Sequence, residues 1–292
     1  MTWTTTPLHP RFGVRVEGLQ LADLDDASFP ALRALFEQHS ALLLRGQDLD
    51  DAAHIRLAQM FGPIEDRLAD ERGKDEAFKV PEVSNIRADG SVTGAMDLHT
   101  LNLKANMLWH SDSTFLPLPA LTNILIGRVV TETGGQTELA STRAGWADMP
   151  EDLKSRLRGA GLWHRYSHSR ARIDPELAKL PMFNKWPDQL WRAVWRNPVT
   201  GEEALYIASH AFAVEGLDAA EGTALIDEAL AWVTQPAYVY AHTWHPGDVL
   251  IWDQRAALHR ATPWDYSKPR RLSSICVTAR PEDGLDGMRL IG

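Results

Sequence analysis

The sequence predicts a mainly β fold with flanking helices, built on a double-stranded β-helix (jelly-roll) core. Three observations point there. Short apolar runs bounded by Gly, Pro and Asp clusters recur along the chain and dominate its C-terminal third, as in closed antiparallel architectures. A few amphipathic helical stretches are interspersed rather than alternating strictly with strands. A histidine and an aspartate two residues apart, His110 and Asp112, have a candidate partner, His259, 149 residues downstream. Strands facing each other across a jelly-roll barrel can close such a separation.

Taken in order, residues 13–21 read as a strand and turn, with Asp25 and Asp26 placed to cap a helix over about 28–39. Phe29, Leu32, Leu35 and Phe36 share one face of that helix. Residues 41–45 form a buried strand, and a helix over 51–61 is stopped by Gly62-Pro63. The charged stretch 67–79 has little periodicity and reads as an exposed loop. A strand is expected over 80–87 and a turn over 88–90, with 93–106 a flexible segment at the mouth of a site. Residues 121–130 are a further strand, broken at Gly134-Gly135, and 150–159 look helical.

The stretch 163–195, rich in Arg, His, Trp and Pro, reads as a long irregular insertion able to cover a site. A strand at 203–209 follows. Asp218 and Glu221 then have capping-box spacing for a helix reaching about Val233, with Leu225, Ile226, Ala229 and Leu230 inward. Residues 237–244 and 249–252 flank Pro246-Gly-Asp248 as a hairpin, and 272–278 form the last strand. No repeat or linker interrupts the chain, so a single domain over 1–292 is expected.

Composition narrows the function classes. A net charge of −9 and a pI near 5.6 argue against a nucleic-acid partner. No apolar run approaches the roughly 20 residues of a membrane span, and the N-terminus resembles no signal peptide. One cysteine, Cys276, excludes an intramolecular disulfide and reads as a small buried hydrophobe in Ser-Ile-Cys-Val-Thr. A soluble protein of a reducing cytoplasm is expected.

The chemistry-bearing stretch is Trp-His-Ser-Asp-Ser-Thr-Phe, 109 to 115. On an extended strand, residues i and i+2 face one way, so the His110 imidazole and the Asp112 carboxylate converge. With His259 they would form a 2-His-1-carboxylate triad, which leaves three coordination positions of Fe(II) open. By itself His-x-Asp is a weak signal. Arg270, just before the final strand, could pair with a carboxylate inside the barrel, and Thr137 could offer a hydroxyl to the same ligand. The other histidines read differently. His242 and His245 are expected on opposite faces, His164 and His168 on exposed loops, and His210 either lining the pocket or not. Trp146, Trp163, Trp232 and Trp252 read as core. Trp186, Trp191 and Trp195 are candidates for an aromatic wall.

At these residues the chain resembles the taurine and 2,4-dichlorophenoxyacetate dioxygenases that depend on iron and 2-oxoglutarate. The resemblance is carried by residues 109 to 115, Gly-Gly-Gln-Thr (134 to 137), Gly-Asp-Val-Leu-Ile-Trp-Asp-Gln-Arg (247 to 255), His-Arg-Ala (259 to 261) and Pro-Arg-Arg (269 to 271). Gly-Gln-Asp-Leu (46 to 49) and Phe-Gly-Pro-Ile (61 to 64) extend it over most of the chain. Within that family, Ser-Asn-Ile-Arg-Ala-Asp-Gly (84 to 90) and Asn-Met-Leu-Trp-His-Ser-Asp-Ser-Thr (106 to 114) look most like the (S)-phenoxypropionate dioxygenases. The resemblance implies Fe(II) on His110, Asp112 and His259, and 2-oxoglutarate on Arg270 and Thr137, with O₂ as the second co-substrate. It implies that Asn106 lies near substrate and co-substrate. Asp112 argues against a halogenase.

One departure stands out. The taurine enzyme has a second arginine where this chain has Ser274, so Arg271, Arg170, Arg172 and Lys104 are candidates to hold an acidic substrate. The resulting expectation is hydroxylation of a small organic acid, an aryloxyalkanoate whose product collapses to a phenol and an oxo-acid, by a homo-oligomer. The alternatives are a sulfonate or other small acid, a metal hydrolase, or a jelly-roll binding protein without catalysis.

Overall fold

In the computed structural model, residues 3–73, 76–94 and 98–290 are described. They begin with β1 (Thr4–Pro7), β2 (Val14–Glu17), α1 (Phe29–His39), β3 (Ala41–Leu44), α2 (Asp51–Phe61), β4 (Glu82–Ser84) and α3 (Leu98–Ala105). Next come β5 (Ala120–Val129), β6 (Thr137–Ser141), α4 (Thr142–Asp148), α5 (Glu151–Leu157), β7 (Gly161–His164), α6 (Tyr166–Ala171) and α7 (Pro175–Ala178). Then follow β8 (Gln189–Arg192), β9 (Val194–Arg196), β10 (Glu203–Leu205), β11 (Ala211–Val214) and α8 (Ala219–Val233). The last four are β12 (Val239–His242), β13 (Val249–Asp253), β14 (Ala257–Ala261) and β15 (Arg271–Thr278).

Two sheets make the jelly roll. The large one runs β1-β2-β3-β13-β5-β15-β4, and a smaller one, β12-β6-β14, faces it. Burial explains the composition of the central strands. All four residues of β3 and all five of β13 are buried, because the large sheet is covered on both sides. Leu42, Leu44, Val249, Ile251, Ile124 and Ile126 pack against α1 and α2. Their neighbours Leu43, Leu250, Trp252 and Leu125 turn the other way and meet Leu139 and Ala257 of the small sheet. Each such aliphatic side chain contributes about 1.5–3 kcal/mol. A one-residue slip would exchange the two faces. The register is therefore strongly specified, and it decides which side chains look into the barrel.

The helices follow the sequence closely. Asp50 caps α2 by accepting from the Ala53 N–H, and Asp218 caps α8 by accepting from Ala220 and Glu221. At α1 the N-cap is Ser28, whose N–H donates to Asp25; Asp25 orders the turn before the helix rather than capping it. Glu37 on α1 is buried and unforeseen. It accepts from Arg255 at 2.6 Å, and Arg255 also grips Asp253 at 2.8 Å. This ion cluster fixes the short turn from β13 into β14, which carries Gln254. A buried charge pair is weak evidence for stability but strong for a set geometry.

Three expectations are corrected. Residues 237–244 and 249–252 are not a hairpin: β12 pairs with β6, while β13 pairs with β3 and β5. The chain crosses from one sheet to the other at Pro246-Gly-Asp248. The stretch 163–195 is no structureless insertion. It holds α6, α7, β8 and part of β9, and β7 and β8 belong to a third sheet, β11-β7-β8. Its weak periodicity reflects elements of only three to six residues. In 93–106, α3 occupies 98–105, and 95–97 lie outside the described residues. Residues 67–73 and 76–79 form no helix or strand and are mostly exposed, as expected, but Arg67 is partly buried against Glu65 and lines the barrel mouth with Arg72 and Phe78. Among the described residues no helix is long and apolar enough to cross a membrane.

Candidate active site

His110, Asp112 and His259 are brought together at the floor of a cavity of about 790 Å³ between the two sheets. His110 is not in a regular strand. It forms a single antiparallel bridge with His259 on β14, N–H to carbonyl at 3.0 Å and 2.8 Å in the two directions. The chain then turns, and Ser113 adopts a left-handed conformation (φ 61°) that is uncommon for a residue with a side chain. Asp112 still faces the same way as His110, through a bridge and a turn rather than an extended strand.

The orientation of each donor has an identifiable cause. The His110 Nδ1 lies 2.7 Å from the Leu108 carbonyl, which makes that nitrogen the donor and leaves the Nε2 lone pair aimed inward. Nε2 of His110 lies 3.7 Å from Asp112 Oδ1, and Nε2 of His259 lies 3.6 Å from Oδ2. Both are too long for hydrogen bonds, so the three donors are gathered without satisfying one another. Burial pushes the His110 and His259 pKa values down, His259 to about 3, so both imidazoles are neutral. Burial alone would raise Asp112. The His259 and His110 rings and the hydrogen bond from Asn123 outweigh it, and the carboxyl sits at about 2. Two neutral nitrogens and one carboxylate are a borderline donor set suited to a divalent first-row metal.

Neighbours missed in the sequence lock Asp112. Gln254 accepts from the Asp112 N–H at 3.0 Å and donates to Oδ2 at 2.6 Å. Asn123 on β5 donates to the same oxygen at 2.9 Å. Ser274, at the place of the second family arginine, donates to the Asn123 Oδ1 at 3.0 Å and so turns that amide's NH₂ toward Asp112. Cys276 is not fully buried in the core either. It lines the cavity with Sγ 3.6 Å from Asp112 Oδ2, and burial raises its thiol pKa well above the ordinary value. Every second residue of β15 looks in, which is how Leu272, Ser274 and Cys276 share one wall.

Arg270 is buried and lines the cavity. Its Nη2 donates to the Gly135 carbonyl at 2.7 Å and its guanidinium stacks over Trp264 at 4.8 Å. Among the described residues it has no carboxylate partner, and burial lowers its pKa to about 10. Gly135 is required here: its φ is +65°, and a Cβ would come within 2.9 Å of Arg270 Nε. The Thr137 hydroxyl accepts from Trp244 at 3.0 Å, which leaves its own proton for a ligand. Thr137 and Asn106 both line the cavity.

Other candidates are placed elsewhere. Arg271 points to the far face of β15, 3.8 Å from Glu82, and none of Arg170, Arg172 and Lys104 lines the cavity. His210 sits behind the wall, its ring 4.8 Å from that of Phe115, and does not line the cavity. His164 is fully buried in β7 rather than exposed, and His168 packs beside Phe212. His242 and His245 approach the same Asp248 oxygen, at 3.2 Å and 3.6 Å, instead of facing apart. Trp146 is buried in the core, and Trp163 and Trp232 are partly buried. Trp252 is buried too, but its ring also reaches His259 at 4.6 Å. Of the three proposed wall tryptophans only Trp186 lines the cavity; Trp191 and Trp195 are buried in the core.

The comparisons agree with this architecture. The family described as "Taurine catabolism dioxygenase TauD, TfdA family" matches residues 4–276. An (S)-phenoxypropionate/alpha-ketoglutarate-dioxygenase of Sphingobium herbicidovorans is 35% identical over 273 residues, covering 90% of this chain and 91% of its own. An alpha-ketoglutarate-dependent 2,4-dichlorophenoxyacetate dioxygenase of Cupriavidus pinatubonensis is 35% identical over 276 residues, covering 93% and 96%. Among solved structures, AAD-2 in complex with Mn(II) and N-oxalylglycine superposes with a TM-score of 0.86 at 30% identity, covering 95% of this chain and 97% of the other. The chain belongs to the TauD, TfdA family and is an enzyme of the 2-oxoglutarate-dependent dioxygenase class.

Proposed function

We propose that this enzyme oxidises an aryloxyalkanoic acid, with Fe(II) held by His110, Asp112 and His259 and 2-oxoglutarate held by Arg270 and Thr137. The observation that carries the reading is the pairing, in one cavity, of a converging His-Asp-His donor set with a buried arginine that has no carboxylate partner among the described residues. A structural metal site would be closed by a fourth protein ligand, and a hydrolase would have no use for Arg270. The names of the 35%-identical relatives support the aryloxy acid. Fe(II) with 2-oxoglutarate and O₂ supplies oxidative decarboxylation to succinate and CO₂ together with oxidation of a substrate C–H bond.

The chain's own residues do the rest. Arg270 would pair with the distal carboxylate of 2-oxoglutarate and Thr137 would donate to the same end, with Trp252 and Leu272 keeping water from that side. Asn106 lies on the cavity wall for contact with substrate or co-substrate. Hydroxylation at the carbon bearing the ether oxygen gives a hemiketal. It collapses as the bond between that carbon and the ether oxygen breaks, the hydroxyl becomes the carbonyl, and its proton passes to the departing phenolate. With 2-phenoxypropionate the products are phenol and pyruvate, one each per succinate. We place this activity in a single domain over 1–292 of a cytoplasmic homo-oligomer.

The test is an iron-loaded assay of both 2-phenoxypropionate enantiomers and several alkyl sulfonates. Phenol equal to succinate is expected with at least one enantiomer. Succinate with a sulfonate and no phenol from any aryloxy acid would remove the substrate assignment. The Gln254 clamp gives a second expectation. Gln254→Leu should weaken Fe(II) affinity about 10–100-fold, as loss of a group orienting a ligand does. Equilibrium metal titration checks it, and unchanged affinity would show that Gln254 does not orient Asp112.

A further inference from the structure

Ser274 leaves open which cation receives the substrate's acid group, and the cavity wall answers it. Besides Arg270, the cations lining the cavity among the described residues are Arg67, Arg72, Lys79, Lys185 and Arg260. Arg72 is ion-paired with Asp66, Lys79 with Glu76, Lys185 with Glu71 and Arg260 with Glu138, and none of these four hydrogen-bonds to the turn that carries Asp112. Arg67 is held differently. Its Nε donates to Glu65 at 2.5 Å and its Nη2 to the Ser113 hydroxyl at 2.9 Å, while its Nη1 donates to no described residue. Ser113 follows Asp112 directly, so the guanidinium is anchored one residue from the metal-ligand set. Its flat face lies 5.3 Å over the Phe115 ring. Phe115 in turn stacks on Tyr166, with centroids 3.9 Å apart at 4°, and Trp186 stands 5.7 Å from Phe115 and 6.1 Å from Tyr166.

We infer that Arg67 is the residue that grips the substrate's carboxylate, with Tyr166 and Trp186 covering its aromatic ring. A cation with an unused N–H beside an aromatic wall matches a ligand that joins a carboxylate to an aryl group through two or three atoms. The two lysines that line the cavity have flexible ammonium heads, and both are already paired at its rim. Arg67 is instead pinned by Glu65 and Ser113, so it loses little freedom on binding. The inference rests on the aryloxy-acid reading for its substrate class, and it adds a residue that determines specificity for acid over neutral ligands.

The experiment compares 2-phenoxypropionate with its methyl ester, read by quenching of tryptophan fluorescence in enzyme loaded with Zn(II) and 2-oxoglutarate. Wild type should prefer the acid. Arg67→Gln should weaken the acid at least 30-fold, leave the ester within threefold, and leave 2-oxoglutarate affinity within threefold. Because Arg67→Gln strands the buried Glu65, the double variant Glu65→Gln/Arg67→Gln is run beside it and should behave alike; Arg67→Lys should recover part of the preference. Acid affinity within threefold of wild type in the double variant would overturn the assignment, as would a wild type that binds ester and acid equally. Should wild type act only on an alkyl sulfonate, the aryloxy reading falls. The same variants then read Arg67 with that acid, where loss supports the grip and retention overturns it.

Discussion

Asp112→Ala is expected to reduce bound iron to below a tenth of the wild-type level and turnover by at least about 10³-fold, while the protein stays folded. The carboxylate is the single anion of the donor set, and the hydrogen bonds from Gln254 and Asn123 hold its charge deep in the barrel against the cost of burial. Without it the two imidazoles remain, and a pair of neutral nitrogens binds Fe(II) weakly. The structural cost is bounded. Gln254 and Asn123 each lose an acceptor, at about 1–3 kcal/mol per unsatisfied group, against a global stability of about 5–15 kcal/mol. Asp112→Asn separates the contributions. It can keep an oxygen for the Gln254 amide but not the charge, so iron loss should persist while the melting temperature recovers. Iron content by elemental analysis, succinate release and a thermal melt read all three quantities. Near-native iron in Asp112→Ala would show that the metal sits elsewhere.

The convergence of His110, Asp112 and His259 was legible because each sits in a motif with its own local signature, and the bridge between His110 and His259 preserves it although the expected strand does not form. The groups that hold Asp112 were not. Gln254, Asn123, Ser274 and Cys276 lie on three different strands or turns, and they meet only through the register of β5, β13 and β15. A sequence carries that register only as an alternation of buried faces. The same limit produced the false hairpin: turn residues at 246–248 reveal that the chain reverses, not that it changes sheets. Arg67 was hidden for another reason. A charged run without period looks solvated, and only its contacts with Glu65, Ser113 and Phe115 reveal that it packs into the mouth. Helices α1, α2 and α8 were legible because the apolar faces of α1 and α8, the Gly62-Pro63 stop of α2, the Asp218 cap of α8 and the turn before α1 are local in sequence.

Arg270→Ala is expected to raise the 2-oxoglutarate requirement by about 30- to 5,000-fold, the equivalent of the roughly 2–5 kcal/mol lost when one partner of a buried charge pair is removed. The effect should fall on co-substrate binding, because Arg270 reaches neither His110, Asp112 nor His259 and instead leans on Gly135 and Trp264. Iron content should therefore stay near the wild-type value, which separates this variant from Asp112→Ala. Arg271→Ala is the control. It removes the adjacent guanidinium from the opposite face of β15 and should change 2-oxoglutarate affinity less than about threefold. Stability should move the other way. Among the described residues Arg270 has no carboxylate partner, and burial pulls its pKa to about 10, so its charge costs more in desolvation than its neighbours return. The melting temperature of Arg270→Ala without co-substrate should then equal or exceed that of wild type, and the wild-type gain on adding 2-oxoglutarate should be lost. Anaerobic titration of the Fe(II) enzyme by visible absorption, paired with melts at several 2-oxoglutarate concentrations, measures both effects. An Arg270→Ala enzyme that binds 2-oxoglutarate as wild type does would remove this residue from the co-substrate site and leave Thr137 without its partner.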